Sequence, residues 1–174
     1  MRRPILIALA ACAGALGALA RAQAPISALK GHDSNAPVDV TADRIEVQDR
    51  ADRAIFAGNV HVRQANLTLD TQRLTVAYSS AGGIQIQRLD ASGGVVVRSP
   101  SETARGSFGV YDLERKLITL VGDVQLSRGD SRINGSRLVI DLNSGRAVVD
   151  GGPAGIGQSG GRVTGRFTVP QRRD

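Results

Sequence analysis

The sequence predicts an all-β domain assembled from repeats of 29 or 35 residues. Glycine-led blocks recur at fixed offsets, apolar and polar residues alternate at period two, and no segment after the leader carries an apolar stripe at helical spacing.

The repeat is the strongest signal. Gly58-Asn59-Val60-His61-Val62 matches Gly93-Gly94-Val95-Val96-Val97 and then Gly122-Asp123-Val124-Gln125-Leu126, at offsets of 35 and 29. Gly151-Gly152 opens a fourth block 29 residues further on. A second block keeps the same register. Asp43-Arg44-Ile45-Glu46-Val47, Gln72-Arg73-Leu74-Thr75-Val76, Ser107-Phe108-Gly109-Val110-Tyr111 and Ser136-Arg137-Leu138-Val139-Ile140 stand 29, 35 and 29 apart. The six extra residues of the long interval fit a turn insertion around Ser79-Ser80-Ala81-Gly82-Gly83.

Each unit reads as strands. Val60 and Val62 alternate with Asn59, His61 and Arg63, as Ile45 and Val47 do with Arg44, Glu46 and Gln48. Period two places the apolar set on one face. Turn signals divide the runs at Ala81-Gly82-Gly83, Ser92-Gly93-Gly94, Arg128-Gly129-Asp130 and Asn143-Ser144-Gly145. Such spacing fits a sandwich, barrel, jellyroll or parallel β-helix alike. No repeat can bury its apolar face alone, so stacked neighbours share an interior. The expected interior set is Val38, Val40, Ile45, Val47, Phe56, Val60, Val62, Leu74, Val76, Val95, Val97, Tyr111, Leu113, Leu120, Val124, Leu126, Leu138 and Ile140. These branched aliphatics either close-pack into a dry core or line a slot for an apolar ligand.

The first residues look like an export signal. Arg2 and Arg3 precede an apolar run from Ile5 to Ala20, shorter than the roughly 20 residues that span a bilayer. Cleavage is expected after Ala22, because cutting after Ala24 would leave Pro25 just past the scissile bond. An uncleaved anchor is one alternative. Lipidation at Cys12, within Leu9-Ala10-Ala11-Cys12, is another, although the apolar run continues past it. If the leader is removed at Ala22 the remaining chain has no cysteine and no disulfide supports the fold. The expected organisation is a leader over 1–22, a linker over 23–36, the repeat domain over 37–152 and a strand or tail over 153–174.

Charge argues against nucleic acid. The formal net charge is +6, yet Arg2, Arg3 and Arg21 belong to the leader and Arg162, Arg166, Arg172 and Arg173 to the end. From Pro25 to Asp150 the chain has 15 basic and 15 acidic residues, and aromatics make up 3% of the whole. A neutral body with few stacking rings gives DNA or RNA little to hold.

The segments Pro37–Ile45, Ala54–Gln64 and Arg73–Val76 resemble the OstA-like (LptA) family of periplasmic lipopolysaccharide-transport proteins. Tyr111-Asp112-Leu113 and Ile118–Leu126 are similar to the second half of that family's domain. The resemblance spans about residues 36 to 152, with a weaker echo from Arg162 to Pro170. It implies an antiparallel β-jellyroll, open at both ends, with an apolar groove along its length. It further implies that lipid A acyl chains lie in the groove while sugars and phosphates stay in water. Val38 would lie near the groove's mouth, Phe56 and Val97 within it, and Tyr111 and Leu113 in its second half. Head-to-tail self-assembly is implied as well, with the N-terminal edge strand meeting an inner-membrane Lpt complex and the C-terminal edge an outer-membrane Lpt translocon. Together with the leader it implies a periplasmic protein of outer-membrane assembly. One departure is Gly109, where a larger apolar residue is usual.

That task suits the residues. Each methylene exposed to water costs roughly 0.8 kcal/mol, so a lipid with several long chains needs a continuous apolar path. A smooth aliphatic lining that stays accessible would shield the chains yet release them. No Gly-x-x-x-x-Gly-Lys-Ser/Thr loop is present to hold nucleotide phosphates, so any work must come from a partner. Open sheet edges invite strand addition, near Val38 to Thr41 at one end and Arg162 to Val169 at the other. Two unlike edges pair head-to-tail and can propagate.

Enzyme chemistry has little footing, and no cofactor or metal is expected. His32 lies in the linker and His61 on a polar face, neither with a spaced Cys or His partner. Asp43, Asp112 and Asp141 recur at repeat-related places, which fits turn or surface roles. The rivals are a structural or adhesive β-solenoid with a dry core, a β-helix enzyme acting on polysaccharide, and a membrane-anchored LptC-like subunit of the same fold.

Overall fold

A computed structural model describes Leu29, residues 32–152 and residues 161–168. The expected leader over 1–22 lies outside the described residues, as does Cys12. Ten strands form one antiparallel sheet: β1 (Val38–Thr41), β2 (Arg44–Gln48), β3 (Arg53–Gln64), β4 (Leu67–Ser79), β5 (Gln85–Arg98), β6 (Thr103–Asp112), β7 (Leu117–Arg128), β8 (Ser131–Asp141), β9 (Arg146–Asp150) and β10 (Thr164–Arg166). A single 3-10 turn, Asp49–Ala51, is the sole helical element among the described residues. The all-β expectation is met, and antiparallel pairing throughout removes the parallel β-helix.

Strands β3 to β8 are long because each crosses a bend. The pairing register slips between Ala57 and Val60, Asp70 and Arg73, Ser92 and Val95, Arg105 and Phe108, and Val121 and Val124. These bulges line up across the sheet and fold it along one line into two facing halves. β1 and β10 belong to one half, and β2 and β9 to the other. The result is an open jellyroll.

The repeated blocks are the two sides of that fold line. Gly122 has φ +83°, and a Cβ placed on it would stand 2.8 Å from Ser107 Oγ on the neighbouring strand. Gly152, with φ +74°, meets Ser136 Oγ at the same distance. Gly93 meets Gln72 and Gly58 meets Asp43 in the same way. The leading residue of one block therefore sits under an opening glycine of the other, the first in three cases and the second, Gly152, in the fourth. Hydrogen bonds fasten the contact: Ser136 Oγ donates to Gly151 O at 2.7 Å, and the amide of Asp43 donates to Gly58 O at 2.9 Å. Glycine is required because the bend combines a left-handed backbone with a close approach. One repeat is thus one bent hairpin.

The interior consists of apolar rungs running across the sheet. One rung is Val47, Ala54, Val76, Leu89, Tyr111, Ile118, Ile140 and Ala147, each the registered partner of the next. The facing half carries Val40, Val62, Leu69, Val97, Ala104, Leu126 and Ile133. Burying such a side chain is worth about 1.5–3 kcal/mol, so the facing rungs hold the halves together.

Within the span expected as a linker, Leu29 is buried, and His32, Ser34 and Ala36 are bonded to Gln64 of β3. At the other end β10 pairs with β8 from Thr164 to Arg166. The expected strand reaching Val169 is shorter, and Val169 lies outside the described residues.

Candidate functional site

The candidate site is the space between the two half-sheets. Of the expected interior set, Val60, Val62, Leu74, Val76, Val95, Val97, Tyr111, Leu120, Val124, Leu126, Leu138 and Ile140 are buried. Val38, Val40, Phe56 and Leu113 are half-buried against them. Sixteen of the eighteen named positions therefore converge on one interior.

Ile45 and Val47 do not. They are 55% and 57% exposed, although they face the same way as Phe56 and Ala54. β2 is the outermost strand of its half and pairs with β3 alone, so among the described residues its apolar face is left largely uncovered. Alternation gives the face a residue is on, not whether a second layer covers it. These two side chains prolong the rungs past the covered interior.

The sequence reading missed Leu67, Leu69, Leu89, Ala104, Ile118 and Leu142, all buried. Leu67-Thr68-Leu69 and Leu117-Ile118-Thr119-Leu120 carry the alternation that marks them. Leu29 and Gln64 gave no periodic signal at all.

The trough is nearly full. An apolar void between the halves, bounded by Val62, Leu69, Leu89, Val97, Ile118 and Leu120, measures about 20 Å³. That is room for about one water molecule, not for an acyl chain. The expectation of a trough that stays accessible is not met in this conformation. Gly109 does not widen it either. A Cβ there would stand 3.0 Å from Leu120 Cδ2 and 3.1 Å from Val95 Cγ1, so neighbours already occupy that space.

A polar cluster closes the lips, at the strand ends farthest from the fold line. Tyr111 Oη donates to Gln64 Oε1 at 2.9 Å, across the two halves. Gln64 Nε2 donates to the carbonyl oxygens of Ser34 and Ala36, both at 3.0 Å. The ring nitrogens of His32 lie 3.1 Å from Gln64 Oε1 and 3.0 Å from Asn66 Oδ1. Burial pushes the Tyr111 phenol up, with a smaller opposing pull from the Ser34 side chain, so it stays a neutral donor at ordinary pH.

His61 lies on the outer face as expected, hydrogen-bonded to Asp70 Oδ1 at 2.6 Å, and Arg98 pairs with the other oxygen of Asp70. Asp112 and Asp141 accept from the backbone amides of Arg115 and of Asn143 and Ser144, fixing their turns. Their turn role agrees with the sequence reading.

Against this geometry, the comparisons with known proteins are specific. A family model described as "LptA/(LptD N-terminal domain) LPS transport protein" matches residues 39–146. The chain belongs to that family. Within the LptA/LptD N-terminal-domain family its matched span runs from β1 to the start of β9, the whole folded sheet short of its last strands. An uncharacterized protein of Rhizobium meliloti (strain 1021) is 32% identical over 147 residues, which cover 79% of this chain and 79% of that one. Among solved structures, the chain is similar to LptH, the LptA-homologous periplasmic component of the lipopolysaccharide transport device of Pseudomonas aeruginosa. The TM-score is 0.69 at 17% identity, over 79% of this chain and 99% of that chain. That likeness is one of fold.

Proposed function

We propose that this chain is a periplasmic carrier that shields the acyl chains of lipopolysaccharide between its two half-sheets and hands the lipid on towards the outer membrane. The observation that carries the reading is the set of apolar rungs, unbroken from edge to edge, within a family of lipopolysaccharide-transport proteins. Acyl chains laid along the named rungs would meet Val, Leu, Ile, Ala and Tyr111 side chains and no charged one, so sliding requires no large change in free energy. The phosphates and sugars stay at the lips, in water. The lining residues are the sixteen converging positions named above.

The edges supply the second part of the proposal. Ile45 and Val47 continue the rungs beyond β3 and stay more than half exposed, and Ala147 and Val149 end the same rungs on β9. A second copy docked with its β9–β10 edge on the β1–β2 edge would cover Ile45 and Val47 and extend the trough. Unlike edges make this a head-to-tail stack. The N-terminal edge would meet an inner-membrane Lpt complex and the C-terminal edge an outer-membrane Lpt translocon.

A dry-core structural role is the second reading, favoured by the filled interior. The separating experiment is retention: protein purified from the periplasm is extracted and its lipid identified by mass spectrometry. The carrier reading expects lipopolysaccharide in stoichiometric amounts and its loss from Leu120→Glu. Lipid-free protein that also ignores added lipopolysaccharide supports the structural role.

A further inference from the structure

We propose that Leu29 together with residues 32–36 acts as a plug that occupies the lips of the trough and competes with the acyl chains for it. The proposal rests on the transport reading above for the identity of the competitor, but its geometry stands alone.

Leu29 is 4% exposed although it belongs to no strand. It sits with Val97, Ala104 and Leu126 of one half-sheet and Ile140 of the other, around a residual void of about 10 Å³. It is thus wedged between the two halves from the open side. Three residues on, His32 is buried and bonded to Gln64 and Asn66 at the β3–β4 turn, and its amide donates to Leu29 O at 3.1 Å. Gln64 then holds the carbonyl oxygens of Ser34 and Ala36. From Val38 the chain is committed to β1. Leu29 therefore lies inside the mouth of the trough, and His32, Ser34 and Ala36 are bonded along its rim.

This arrangement resembles the occupant the trough is built for. An acyl chain entering from the lips meets Leu29 first and the Gln64–Tyr111 bridge next. The void beneath, about 20 Å³, is far too small for both a chain and the plug. Entry requires Leu29 to leave. Its apolar contacts are then replaced by those of the lipid, while the polar rim bonds are exchanged for water, so displacement is reversible. Among the described residues before β1 none belongs to a strand, so Leu29 and residues 32–36 can leave without breaking a strand pair. A plug of this kind keeps the interior dry between cargoes and lowers apparent affinity by the fraction of molecules that are open.

The test uses the full chain, purified lipopolysaccharide and an environment-sensitive apolar dye. Hydrogen exchange on the unaltered protein should show residues 29–36 gaining exchange when lipopolysaccharide binds, while β5 to β7 lose it. Leu29→Ala and His32→Ala should each raise apparent affinity roughly tenfold, the scale of the burial given up at Leu29. They should also take up dye that the unaltered protein excludes. Lipopolysaccharide binding with unchanged exchange at 29–36 and equal affinities in the variants overturns the plug. If no form binds lipopolysaccharide but the two variants alone take up dye, the plug stands and the transport reading falls. If the dye too fails to distinguish the variants, the plug falls with it.

Discussion

Tyr111 and Gln64 join the two half-sheets at their lips: the phenol hydroxyl of one donates to the amide oxygen of the other at 2.9 Å. Both side chains are buried, and Gln64 also holds the carbonyl oxygens of Ser34 and Ala36. Tyr111→Phe removes one bond and leaves Gln64 Oε1 with His32. It should cost about 1 kcal/mol, read as a lower thermal midpoint. Gln64→Leu should cost more, about 2 kcal/mol, since it leaves the Tyr111 hydroxyl and two carbonyl groups without this partner and His32 with Asn66 alone.

The fold line gives a paired prediction. Gly82 and Gly122 both have φ +83°, but only Gly122 has a neighbour, Ser107, in the path of a side chain. Substitution by alanine should cost about 1 kcal/mol at Gly82, from the left-handed backbone alone. At Gly122 the cost should at least double. Chemical denaturation of the two variants measures the difference, and equal losses would contradict a close-approach role for the repeat glycines.

Burial separates two leucine-sized positions with the same strand orientation. Leu120 has no exposure, and Leu120→Ala should cost 2–5 kcal/mol, the range of large-to-small core changes. Ile45→Ala removes a half-exposed side chain at an edge and should change stability by less than about 0.5 kcal/mol. Its effect should appear instead in self-association, measured by sedimentation: the stack that covers Ile45 weakens while the monomer stays folded.

How legible this was depends on what each feature writes into the chain. The bent hairpin is written twice, as Gly122 in one block and Ser107 in the other, because a bend needs both a flexible residue and a small or yielding partner. Strand faces were legible because period two records them directly. The exposure of Ile45 and Val47 was not, since a strand's place at the edge is a property of the sheet. Leu29 and His32 carry no periodicity; they are held by shape and by single hydrogen bonds to Gln64 and Asn66. Whether the trough is open or filled depends on the fit between facing rungs, and Leu120 closing over Gly109 shows how that fit overrides residue size.

On the outer face, Asp70 gives a pH dependence. Partial burial raises its pKa, but hydrogen bonds from His61 and Arg98 outweigh that and hold the carboxyl below the usual range. A carboxyl depressed in the folded chain binds fewer protons there than in the unfolded one. Its contribution is therefore present at neutral pH and is lost as pH falls through the acid range, below about pH 4. Unfolding midpoints followed downward from pH 6 should fall less steeply in Asp70→Asn than in the unaltered protein.

The central claim is that lipid enters between the half-sheets. Site-specific photo-crosslinking tests it most directly, with the photoreactive residue placed in turn at Val97, Tyr111 and His61 and lipopolysaccharide supplied in the periplasm. Val97 and Tyr111 face the interior, and adducts carrying lipid A should form there; His61 lies on the outer face and should form none. Equal labelling at all three positions, or labelling at His61 alone, would contradict the account.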